Sequence, residues 1–180
     1  MKYHTIILIL FATLIANVCF SQTQSMHNVY FNLPEIALLD IEPNTNDIIL
    51  EFDAPTEPGN ELTPIAGDTK WINYTATLAL AGTPKVITAQ IASSTNIPGL
   101  NIELVISSYS GNGKGVMGTS VGSINLSTTA QTIISGIGGC FTRSGANKGH
   151  EVEYNASISD YSIFEVPTTP NMEIIYTIGN

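Results

Sequence analysis

Cys140 and His150 are the residues with the most evident chemical potential, because a thiolate beside an imidazole or a positive field is a strong nucleophile. The flanking Gly138-Gly139-Cys140-Phe141 carries no nucleophile signature, and no third residue can be assigned to orient the pair. A free cysteine is among the most buried residue types, so Cys140 reads as a packed core thiol, with an intermolecular disulfide as the alternative. His27 and His150 are isolated imidazoles without an H-E-x-x-H or C-x-x-C pattern around them, so no zinc site and no metal hydrolysis are expected. Gly111-Asn112-Gly113-Lys114-Gly115 resembles a phosphate loop only superficially. Gly115 stands where Ser or Thr should be and nothing helical follows, so a glycine-rich hairpin loop is expected.

Two other groups could bind rather than react. Glu35, Asp40, Glu42, Asp47, Glu51, Asp53, Glu57, Glu61 and Asp68 fall in one segment with no Lys or Arg before Lys70. Converging carboxylates would suit Ca²⁺, but no loop has the D-x-[DN]-x-[DN]-G spacing, so the run reads as a solvated acidic face, with a Ca²⁺ site as the alternative. Trp71 and Tyr74, with Tyr30, Tyr109 and Tyr161, could form an aromatic platform for a glycan; a core role is the alternative. Asn73-Tyr74-Thr75, Asn125-Leu126-Ser127 and Asn155-Ala156-Ser157 match the glycosylation sequon, yet each falls inside an expected strand. The expectation is a protein without catalytic residues, metal ligands or cofactor.

The elements that must position these residues begin after residue 21. Lys2 followed by the apolar run Thr5 to Ile15, the stretch Ala16-Asn17-Val18-Cys19-Phe20-Ser21 and the polar Gln22 to Ser25 has the layout of a cleaved secretory leader, with domain boundaries at 1–21 and 22–180. Lipidation at Cys19 is the competing reading, against which Val18 stands where a small residue is wanted. The mature chain is expected to be secreted or held at the cell surface, with no membrane span. Its formal net charge, −9 for the whole chain, would repel a polyanion, so nucleic acid is excluded as a partner. Cys140 is the only cysteine beyond the leader, so apolar burial and strand pairing must hold the fold without an internal disulfide.

Period-two alternation dominates the mature chain. Val152, Tyr154, Ala156 and Ile158 form one apolar face. Met172, Ile174, Tyr176 and Ile178 form another, as do Ile102, Leu104 and Ile106, Ile48, Leu50 and Phe52, and Val29, Phe31 and Leu33. Further strands are expected over 36–42, 71–78, 85–92, 119–126 and 131–135, all rich in β-branched or aromatic residues. Turn chemistry separates them, as at Gly82-Thr83-Pro84 and Ile97-Pro98-Gly99. Nine or ten short strands at this spacing predict a single all-β domain, an antiparallel β-sandwich with Greek-key connections.

Both ends of the mature chain are expected strands, Met26 to Leu33 and Met172 to Ile178. In that layout the chain resembles the pilin-like subunits of chaperone and usher systems, including the spore-coat-U-like branch. The resemblance implies an immunoglobulin-like sandwich and a non-enzymatic structural or adhesive subunit, fimbrial in type, on the outside of a Gram-negative-type cell. It also implies copies of itself or related subunits, and a periplasmic chaperone, as partners. Residues 22–33 would then be an exchangeable strand, with Val29, Phe31 and Leu33 entering a neighbour's sheet. The alternative from a different class is a monomeric binding module for Ca²⁺ or a glycan.

Overall fold

The computed structural model describes residues 3–4, 24–43, 47–65, 67–167 and 171–180. The chain divides into two units, Met1–Leu33 and Pro34–Asn180, and all the strands described belong to the second. The leader expected over 1–21, with Cys19, lies outside the described residues apart from Tyr3 and His4.

Strands form where apolar residues recur at every second position. In β5 (Lys85–Ile91) the residues at 85, 87, 89 and 91 are buried and those between them are not. In β6 (Leu100–Ile106) Ile102, Leu104 and Ile106 point inward, and in β10 (His150–Ile158) Val152, Tyr154 and Ala156 do so. Each fully buried Ile or Leu contributes roughly 1.5–3 kcal/mol over its exposed state. The remaining strands are β1 (Ala37–Glu42), β2 (Phe52–Asp53), β3 (Thr63–Pro64), β4 (Thr69–Ala76), β7 (Lys114–Ser120), β8 (Gly122–Asn125), β9 (Gln131–Phe141) and β11 (Ile174–Gly179). Nine of them make one antiparallel sheet in the order β11-β5-β9-β4-β10-β6-β8, with β1 on β4 and β7 on β9, while β2 and β3 form a separate ladder. No α-helix occurs among the described residues of this unit. The architecture is all-β and sandwich-like.

Two features let one sheet wrap around one core. β9 changes partner along its length: Gln131 to Ile137 pairs with β5, and Cys140 and Phe141 pair with Ala76 and Thr75 of β4. β7 and β8 are nearly continuous, but Gly122 at φ 87° turns the chain so that β7 stays with β9 and β8 pairs with β6. Only glycine takes that backbone conformation without strain. Between them lies a core that includes Ile72, Ile87, Leu104, Ile106, Ile133, Ile134, Ile137 and Val152.

Four expectations need correction. The segment 119–126 is not one strand, since its first residues end β7 and Gly122–Asn125 form β8. Val29, Phe31 and Leu33 alternate as a strand would, yet no strand forms over 24–33. Ile48, Leu50 and Phe52 do turn one face toward the core, but only Phe52–Asp53 pairs. β9 runs to Phe141 rather than stopping at Ser135, through Gly136, Gly138 and Gly139. Glycine is a poor strand former in isolation, but at Gly138 β7 passes too close for a side chain: a Cβ there would come within 2.9 Å of Val116.

Candidate functional site

The segment before the sandwich exposes several apolar side chains. Val29 is 62% exposed, Phe31 80% and Leu33 83%, and Tyr30 is exposed as well. Contiguous exposed apolar residues are uncommon on soluble proteins and mark interaction sites. The residues expected to enter a neighbour's sheet are therefore displayed without a strand partner. The core of residues 34–180 is built from that unit's own side chains.

Strand edges are the second component. Among the described residues β1 pairs only with β4, and β11 only with β5, so each keeps one row of main-chain groups without a strand partner. Such an edge is a template for another strand. Ile36 exchanges bonds with Thr77, its N–H going to Thr77 Oγ1 at 2.6 Å and its carbonyl accepting from Thr77 N–H at 2.9 Å, which fixes which β1 groups face β4. Ile41 N–H falls in the opposite set, and Asp40 Oδ1 accepts it at 2.9 Å. The carboxylate of Asp40 thus covers one donor of the open β1 edge. Leu38 on β1 and Ile175 on β11 leave apolar side chains exposed beside these edges. Beside β1 lies an open groove of about 240 Å³ whose walls include Leu38, Asp40, Phe141 and Arg143.

The most polar buried cluster surrounds His150, which is fully buried. Its Nδ1 lies 2.9 Å from the Ser107 carbonyl and its Nε2 3.0 Å from Tyr74 Oη. The Tyr74 hydroxyl also reaches the Met117 carbonyl. With a neutral ring, Nδ1–H donates to Ser107, and the single proton of Tyr74 must choose between Nε2 and Met117. Three hydrogen bonds call for three protons, and a neutral imidazole and a phenol supply two. An imidazolium would complete the set, but burial outweighs both carbonyls and holds His150 below its usual value. Burial likewise pushes Tyr74 up, with Cys140 and Tyr109 adding to it. The Tyr74 ring stacks on His150 at 6.0 Å between centroids and Tyr109 tilts against it at 5.6 Å.

This cluster settles where several candidate residues lie. Tyr74 and Tyr109 turn toward His150, so they do not join Tyr30 and Tyr161 in an exposed platform. Cys140 is buried, and burial raises its thiol, with only the main chain at Ala76 drawing it back. Both nitrogens of His150 are committed to other partners, so the two do not form a nucleophile and base. Among the described residues no three His, Cys, Asp or Glu side chains gather as metal ligands, the acidic segment included.

Buried lysines were not foreseen. Lys70 lies 3.9 Å from Asp68, and Lys85 donates to Glu35 Oε1 at 2.8 Å and Asn180 Oδ1 at 3.1 Å. The signal was present for Lys85, which occupies the inward phase of β5 with Ile87, Ala89 and Ile91. Asn73 is buried too: its Nδ2 donates to Gly145 O at 2.8 Å, while Oδ1 has no partner among the described residues and lies 2.4 Å from where a Cβ on Gly149 would stand. Comparison with protein-family models, with curated proteins and with solved structures found no match for this chain.

Proposed function

We propose that this chain is an exported, non-enzymatic structural or adhesive subunit that assembles on a cell surface by β-strand addition. The observation that carries the reading is the exposed run Val29, Phe31, Leu33, in no strand, which directly precedes a unit whose core is packed from its own side chains. Insertion beside an open edge of a second copy would bury those three side chains, each worth about 1.5–3 kcal/mol, while main-chain pairing sets the register. The β1 and β11 edges are the acceptors this reading offers. A donor at one place and an acceptor at another make a heterologous contact, and repetition without closure gives a fibre. The sandwich would then be immunoglobulin-like in the pilin sense. A periplasmic chaperone would cover the apolar segment before assembly, at the outer surface of a Gram-negative-type bacterium.

Removal of residues 22–33 tests this directly. Light scattering of the shortened protein should show a folded monomer, and a synthetic peptide of residues 24–33 should bind it. Assemblies of unchanged size in the shortened protein would defeat the proposal.

A further inference from the structure

Lys85 is 5% exposed, and its ammonium meets two groups from opposite ends of the Pro34–Asn180 unit. Glu35 lies just ahead of β1 and Asn180 just after β11, and both accept from Nζ, at 2.8 and 3.1 Å. The register explains the meeting. Gly179 faces Val86 in the β11–β5 ladder, which sets Asn180 opposite Lys85. An amine, a carboxamide and a carboxyl group therefore share one point of the fold.

We propose that Lys85 and Asn180 become joined by an intramolecular amide bond between Nζ and Cγ, with Glu35 carrying protons. In the first step the Lys85 ammonium gives one proton to Glu35, leaving an amine with a free electron pair. The soft Cβ–Cγ torsion of Asn180 lets the carboxamide turn its carbon toward Nζ. Nζ attacks, the new C–N bond forms, and the carbonyl pair moves onto Oδ1. A second Nζ proton then passes to Nδ2, the carbonyl reforms, and the Cγ–Nδ2 bond breaks to expel ammonia. Glu35 finally yields its proton to that ammonia, so a lysine ammonium and a carboxamide become a secondary amide and an ammonium ion. The balance needs no oxidant and no activated co-reactant.

Three aspects of the surroundings suit this chemistry. The buried Lys85 head keeps competing water from the attacking nitrogen, whereas Glu35 and Asn180 reach solvent and give ammonia a way out. Groups held within hydrogen-bond reach react as though at very high concentration, in favourable cases about 10⁵ M or more. The reaction happens once per chain, so a slow rate suffices. The bond would lock β11 to β5, and the inference is independent of strand addition.

Tandem mass spectrometry of a tryptic digest of the folded full chain decides it. The expected product is a branched species linking the peptides that carry Lys85 and Asn180, lighter than their sum by one ammonia, with no cleavage after Lys85. Glu35→Ala, shown to be folded by circular dichroism, should lose the branched species and regain cleavage there. Free Lys85 and unmodified Asn180 in the wild-type digest would overturn the bond. A branched species undiminished in Glu35→Ala would overturn the part given to Glu35.

Discussion

Residues 152–158 and residues 29–33 carry the same period-two pattern and meet opposite fates. In β10, Val152, Tyr154 and Ala156 are buried, and the strand pairs with β6 from Val152 to Ile158 and with β4 from His150 to Glu153. Burial, with the Asp68 charge adding to it and a hydroxyl bond to Tyr176 at 2.7 Å drawing it back, leaves the Tyr154 phenol pushed up to about 12. Val29, Phe31 and Leu33 are exposed and lie in no strand among the described residues. Alternation therefore states that a segment suits a sheet. It does not say that the same molecule supplies the neighbour.

The sharpest way to break this comparison is to damage each region in turn. Leu104→Ala, in the fully buried middle of β6, should cost about 2–5 kcal/mol of unfolding free energy in urea. Replacing Val29, Phe31 and Leu33 together by Asp should change that free energy by less than about 0.5 kcal/mol, because exposed positions support no core, yet it should abolish assembly. A large loss of stability in the triple variant would mean that the segment belongs to its own domain's core.

A smaller effect comes from the interior. The folded pKa of His150 lies below the unfolded value of about 6.5, so the unfolded state takes up its proton first on acidification. The stability contributed by the neutral ring is present above pH 6.5 and is lost as pH falls toward the folded value, by at most about 1.4 kcal/mol per pH unit. Urea unfolding between pH 7.5 and 5.5 should show this decline, and His150→Gln should flatten it.

A similarly small change in stability is expected at the β1 edge. Asp40→Ala frees the Ile41 N–H and removes a charge from an open strand, so unfolding should shift by less than about 0.5 kcal/mol. The fraction of associated chain in light scattering should rise, and an unchanged fraction would remove β1 from the acceptor edges.

Much of the sandwich was legible because its strands alternate cleanly, as in 85–91, 102–106 and 152–158. The end of β9 was not, since Gly136, Gly138 and Gly139 look like a turn until β7 is known to lie against them. Tertiary context also decided the polar sites. Tyr74 and His150 are 76 residues apart and Lys85 and Asn180 are 95 apart, separations at which no local pattern connects them. What sequence could offer there was a single anomaly, a lysine in the inward phase of a strand.

The most direct test of strand addition is a gel of the extracted native protein in detergent, with unheated and heated samples side by side, next to the triple Asp variant. The account predicts a ladder that collapses to one band on heating in the wild type and a single band throughout in the variant. A single monomer band in both wild-type lanes would contradict it.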